Sequence, residues 1–273
     1  MATLPADESA DRSVRLARLR VGMGTLVAME AEAADARTAA AGIAAAHAAI
    51  SRVEALMHPT RPGADLAALN AAPPGVRVRV DPWTDAVLRA SQRLHELSGG
   101  AFDPCLPEPG GRCRDLDLSS PLTVVKRAPL RIDLGGIAKG YAVDRALDAL
   151  RAAGCHAGLV NAGGDVAAFG ARTHALVVRT HSGCARVRLR DAALATSDAT
   201  CAAPPAEHRG HYRRTPIGGL EAGPVAAGAV CVSAADAATA DALTKCLLCA
   251  PPEWHPRILA ACGARAVRLV LAS

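Results

Sequence analysis

The chain has 273 residues, 51% of them hydrophobic, so it can bury a substantial core as one large domain or two intimate subdomains. Its net charge is +5, but Lys and Arg are scattered without a basic run or interleaved aromatics, which argues against a nucleic-acid-binding protein. Aromatic residues make up only 2%, so Ala, Val and Leu must build the core. Nine cysteines, an odd number, lack a paired C-x-x-C framework, and Cys246 and Cys249 have no second pair with which to close a zinc site. They read as small buried hydrophobes of a reducing compartment. The first twenty residues are polar, with no apolar h-region, lipobox-like cysteine or membrane-spanning run. A soluble, cytoplasmic protein is expected.

Residues 1–14 read as disordered and 15–273 as a single domain, with no internal repeat or linker. Residues 16–29 read as a strand broken by Met23-Gly24-Thr25. A long helix follows over 33–57, with Ile43, His47, Ile50, Val53 and Leu56 or Met57 along one stripe and His47 at the edge of the core. The stretch HPTRPGADLAALNAAPPG (58–75) gives a loop, a short helical turn and a Pro-rich turn. Residues 76–80 alternate as a half-exposed strand. Asp81-Pro82 starts a second helix, which ends at Ser98-Gly99-Gly100, and a Gly/Pro/Arg loop then runs to about residue 120.

The chain is organised around residues 130–166, LRIDLGGIAKGYAVDRALDALRAAGCHAGLVNAGGDV. Asp133 precedes the pair Gly135-Gly136, and Lys139-Gly140 opens an amphipathic helix carrying Val143, Ala146, Leu147 and Leu150. Arg151 and Gly154 are its stop signals. A second glycine pair, Gly163-Gly164, stands beside Asp165. Two glycine turns, each next to an acid and one also next to a lysine, thus bracket one helix. Glycine lets backbone groups approach a ligand closely, and a nearby lysine suits phosphate. Neither standard phosphate loop is present. Further on come two alternating strands within 174–190, a small-residue segment over 193–197 and a long Gly/Pro/His/Arg loop over 198–223. A strand at 229–232, a helix over 234–249 and a final strand complete the pattern.

In order, the pieces Met23-Gly24-Thr25, LMHPTRPGADLAALN, GGAFDP, IDLGGIAKGYAVD, NAGGDV, ALATS and ATADALTK resemble the ApbE family, the FAD:protein FMN transferases, over roughly residues 21–250. The resemblance implies an α+β fold of T-fold-like antiparallel sheets flanked by helices, with a ligand cleft between two subdomains. Element patterning alone also admits an alternating parallel sheet. It implies transfer of FMN from FAD to a Thr or Ser hydroxyl of a target flavoprotein, with release of AMP and a requirement for magnesium. A flavin-binding relative that has lost transfer, or only hydrolyses FAD to FMN and AMP, is the alternative.

Carried across by position, the resemblance puts Met23, Thr60, Ala101, Phe102, Asp103, Asp133, Lys139, Gly163, Gly164 and Asp165 at the FAD. Asp103 faces a hydroxyl or adenine edge, or merely closes an Asx turn. The metal takes the Gly136 carbonyl and Asp241, with Thr244 the nearest hydroxyl. Lys245, Asp241 and His211 are the candidates for chemistry.

Four departures stand out. Lys245 occupies the position of the family's metal-binding threonine, four residues after Asp241 and on its helical face, which puts the magnesium ion in question. An ammonium cannot ligate magnesium, and the sharper expectation is that Lys245 supplies positive charge itself. Thr60 replaces a tyrosine that packs on FAD, removing roughly a kcal/mol of stacking. The 208–219 loop keeps His211 but lacks an Asp-Pro. The 105–128 loop is short and without a Trp-Gly element.

Overall fold

The computed structural model describes residues 13–106, 108–180, 183–198 and 229–267. Residues 1–12 of the segment expected to be disordered lie outside that set. Its end is ordered, because Ser13 donates to Glu32 at 2.8 Å and Val14 begins the first strand.

The chain opens with a hairpin, β1 (Val14–Gly22) and β2 (Thr25–Ala33), whose two-residue turn is Met23-Gly24. Both turn residues have positive φ, 52° and 70°, as the right-handed twist of a tight hairpin requires. Met23-Gly24-Thr25 therefore reverses the chain between two strands instead of breaking one. In α1 (Ala36–Met57) the buried stripe includes Ile43, Ile50 and Val53, with His47 half-buried at its edge. Next come α2 (Asp65–Ala71), β3 (Arg77–Arg79) and α3 (Pro82–Leu97), the last capped by Asp81 through Trp83 N. The stretch read as plain loop contains β4 (Leu116–Asp117), and β5 (Thr123–Lys126) follows it. Together with β3 these form a small antiparallel sheet in the order β3-β5-β4. Strands of two to four residues are too short to show a period.

The central helix is α4 (Ala138–Ala152), followed by the hairpins β6 (Ala157–Ala162) with β7 (Asp165–Phe169) and β8 (His174–Thr180) with β9 (Gly183–Leu189). Then come β10 (Ala192–Asp198), β11 (Ala229–Ala234) and α5 (Ala237–Cys249). The sequence expectations contained no α6 (His255–Ala261), which carries a proline in its first turn, where its missing N–H is harmless. Among the described residues the final strand is short, β12 (Arg265–Ala266).

Among the described residues seven strands make the main sheet, in the order β1-β2-β6-β7-β10-β11-β12, and every neighbouring pair is antiparallel. The parallel alternative is thereby excluded. Helices α1, α4 and α5 lie side by side on one face, over β1–β2, β6–β7 and β10–β11 respectively. The β8–β9 hairpin packs on the other face. Strand alternation divides the side chains between the two layers. Val160, Ala167, Ala195 and Val232 point to the helices, while Leu159, Val166, Leu194 and Cys231 meet Val178 and Leu189 of the hairpin. Central strands buried on both faces read as continuous apolar runs, hence AGLV and VAAF.

Small residues set the spacing of the helix layer. A Cβ at Gly140 would lie 2.2 Å from the Ala237 carbonyl oxygen, so only glycine lets α5 start against α4 there. Asp144, one turn further along α4, accepts from Ala237 N at 2.7 Å and Ala238 N at 2.9 Å. Asp236 caps the same helix end through Thr239 N at 2.7 Å. No helix among the described residues is long and apolar enough to cross a membrane. Replacing Gly140 by alanine forces the two helices apart and is expected to destabilise the fold by about 2–3 kcal/mol, read as a lower urea midpoint at unchanged m.

Candidate active site

The central loop, 130–137, is held from both sides. On one side Asn70, at the end of α2, accepts from Ile132 N at 2.8 Å and donates to Ile132 O at 3.0 Å. The Lys126 ammonium, buried beneath, donates to Asn70 O and Leu130 O at 3.3 and 3.4 Å, and burial lowers its pKa. On the other side the AFDP segment runs antiparallel, with Asp133 N donating to Pro104 O and Leu106 N to Arg131 O, both at 2.8 Å. Asp133 then folds onto Gly135 N at 2.8 Å, and the chain turns into α4. Asn70 and Lys126 are absent from the sequence-derived site. Asn70 lies within the LAALN stretch, but nothing local marks its partner 62 residues away.

The AFDP segment is anchored on the end of α3. Phe102 N donates to the Ser98 hydroxyl at 2.9 Å, and His95 Nδ1 lies 3.0 Å from Phe102 O. Asp103 turns inward: Oδ1 accepts from Cys105 N at 2.9 Å and Cys113 N at 3.2 Å, which is the Asx-turn alternative. Its other oxygen is buried, 3.4 Å from His95 and 3.9 Å from Arg112. Burial raises the Asp103 pKa against these partners. Ala101 and Phe102 are buried, and the Phe102 ring lies 3.5 Å from where a Gly136 Cβ would stand.

Beneath the Gly135-Gly136 turn lies a group of four charges. Lys139 Nζ donates to Asp165 Oδ2 at 2.5 Å and lies 4.0 Å from Asp241 Oδ2. Lys245 Nζ donates to Asp241 Oδ1. Asp241 Oδ2 also accepts from Gly140 N at 3.2 Å, across the close helix contact. The side chains of Asp165, Asp241 and Lys245 are 3%, 0% and 8% exposed, and that of Lys139 is 31% exposed. The Asp241–Lys245 pair is thus buried, where an exposed i,i+4 pair is the ordinary expectation. Burial pushes the Asp165 carboxyl up, reinforced by the Asp241 charge and opposed by Lys139. For Asp241 burial acts in the same sense, but the Lys139 and Lys245 ammonium groups with the Gly140 N–H outweigh it and hold the carboxyl below its ordinary range.

A rim closes the site on the β1–β2 side. Met23 N donates to Glu54 at 3.0 Å, and Glu54 faces Arg61 at 3.6 Å. His58 Nδ1 accepts from Thr60 N and Arg61 N, leaving Thr60 exposed. The Gly163-Gly164 turn, with φ of 62° and 102°, packs its first glycine against Thr25 and leads directly into Asp165.

The sequence-derived residues Phe102, Gly136, Lys139, Asp165, Asp241 and Lys245 therefore come together, with Met23, Thr60, Gly163 and Gly164 along the rim. Thr244 does not join them. At 100° per residue an i+3 position falls on the other side of Asp241 from i+4, and its hydroxyl bonds Ser197 at 2.6 Å and the Asp241 carbonyl at 2.7 Å. His211 lies outside the described residues.

The donors do not fit the divalent ion that the family pattern implies. Magnesium requires oxygen ligands in a near-octahedral set. Asp241 Oδ1 already accepts from the Lys245 ammonium and Oδ2 from Gly140 N, the Thr244 hydroxyl is bonded to Ser197, and the Lys139 ammonium stands 4.0 Å from Oδ2.

The family model described as the ApbE family matches residues 23–109 and 111–267. A curated relative, the FAD:protein FMN transferase of Treponema pallidum (strain Nichols), is 30% identical over 162 residues, which is 45% of this chain and 45% of that protein. The match thus spans less than half the length of that relative. Among solved structures, the flavinyl transferase ApbE of Pseudomonas stutzeri in its apo form superposes with a TM-score of 0.76 at 20% identity, covering 93% of this chain and 92% of that one. The flavin transferase ApbE from Vibrio cholerae gives 0.75 at 19%, covering 96% of this chain and 94% of that one. The ApbE protein of Thermotoga maritima gives 0.74 at 23%, covering 94% of each chain. These structures share the fold described above, and with its pattern matched along most of the sequence the chain belongs to the ApbE family.

Proposed function

We propose that the chain is an FAD:protein FMN transferase, acting on FAD and a target flavoprotein that carries an acceptor threonine or serine. The observation that carries this reading is the pair of lysines set on buried aspartates beneath the Gly135-Gly136 turn, where a pyrophosphate can approach backbone and ammonium together. Family membership and the activity named for the Treponema relative support it.

In the reaction the acceptor hydroxyl oxygen bonds to the FMN-side phosphorus of FAD. The bond from that phosphorus to the bridging oxygen breaks, and its electron pair leaves on AMP. The hydroxyl proton goes to a base, for which His211 is the sequence candidate. Lys139, partly exposed and oriented by Asp165, neutralises the phosphate oxygens as charge moves onto the leaving group. Asn70 and the AFDP segment hold the loop in place, so that the turn meets the phosphates without rearranging. Such work is positioning and electrostatics rather than covalent catalysis. Magnesium has no part in this reading.

Incubating the protein with FAD and a peptide bearing the target's acceptor threonine should release AMP and give a fluorescent, covalently flavinylated peptide. Absence of both products with a folded protein would refute the transferase reading. Lys139→Ala should lower AMP release by about 100-fold, the scale of losing one preorganised donor to a developing charge. Asn70→Ala leaves the buried Ile132 N–H and C=O unpaired, and should cost about 1–3 kcal/mol of stability in urea unfolding while weakening FAD binding.

A further inference from the structure

Lys245 has more structure built around it than an incidental ion pair needs. Its stem passes 3.8 Å from the Cβ position of Gly136, and the Phe102 ring lies 3.5 Å from the same point. Its ammonium rests on Asp241 Oδ1, while the second oxygen of that carboxylate is held by Gly140 N and faces Lys139. Among these four residues the formal charges cancel, two carboxylates against two ammonium groups. A divalent ion placed on Asp241 would have to displace one ammonium and sit beside the other. The hydroxyl one residue earlier offers no ligand, because Thr244 is bonded to Ser197. An ammonium has three N–H donors, so Lys245 can bond Asp241 and still donate to a phosphate oxygen in the turn above it.

We propose that Lys245 is the resident cation of this site, held by Asp241 where a divalent metal would sit, and that the protein binds and cleaves the FAD pyrophosphate without magnesium. The proposal rests on the transferase reading for its substrate, but its central claim concerns cation binding and is tested apart from turnover.

The experiment compares the full chain with Lys245→Thr, using Mn2+ as a paramagnetic probe and AMP release from FAD with acceptor peptide as the second readout. The wild type should show no Mn2+ bound at Asp241 by electron paramagnetic resonance, and AMP release should be the same in EDTA and in magnesium. Lys245→Thr should bind Mn2+, lose about 100-fold of its AMP release in EDTA and recover it with magnesium. If threonine prevents folding, Lys245→Gln keeps the length without the charge and should lose AMP release in EDTA to the same extent. Mn2+ bound to the wild type and lost in Asp241→Asn would overturn the proposal, as would wild-type turnover abolished by EDTA and restored by magnesium. No AMP from any variant under any condition would instead remove the transferase reading, and the Mn2+ comparison would still decide what cation Asp241 holds.

Discussion

Everything in the site depends on how closely α5 approaches α4. The two helices meet at Gly140, where no side chain could be accommodated, and that proximity lets a backbone N–H of one helix bond a carboxylate of the other. Asp241 is thereby fixed over Lys139, and Lys245 is carried along one turn further up the same helix face. Asp165 arrives from the sheet below, directly after a glycine turn. Three elements far apart in the chain thus deliver four charges to one small volume, which stays near neutral because they come in pairs. Buried charges are tolerable only when so paired.

The surroundings are built to keep that geometry. An aromatic-poor chain cannot fill gaps with large rings, so it packs alanine and glycine closely between sheet and helices. Such a core leaves little room for larger side chains: even a Cβ at Gly42, Gly140 or Gly158 would fall within 3 Å of a neighbouring atom. The loop facing the charges is stiffened separately, by a side-chain amide that completes both hydrogen bonds of Ile132 as a neighbouring strand would.

Much of this was readable from the sequence. Helical spacing found α1, α3, α4 and α5, and alternation found the β8–β9 hairpin, because these elements are long enough to show a period. The two glycine turns were found because paired glycines leave a compositional mark, and the Gly163-Gly164 turn has positive φ at both residues. The i,i+4 relation of Asp241 and Lys245 was evident, though its burial was not: a helix displays its own neighbours in sequence, but not what packs over them. Asn70, Lys126 and Ser197 act through partners distant in the chain, and only the folded structure brings those partners together. The short strands β4 and β5 and the proline-led α6 lacked any local signature strong enough to oppose the loop reading.

The capping of α5 has an electrical consequence. A helix start is ordinarily a source of positive potential that attracts phosphate. Here Asp236 and Asp144 take up its first N–H groups and place two carboxyl groups at that end. The helix dipole is grounded, so the α5 backbone offers an incoming anion no pull of its own. The pull that α5 does bring is the discrete charge of its side chain Lys245, which a single codon change can add or remove.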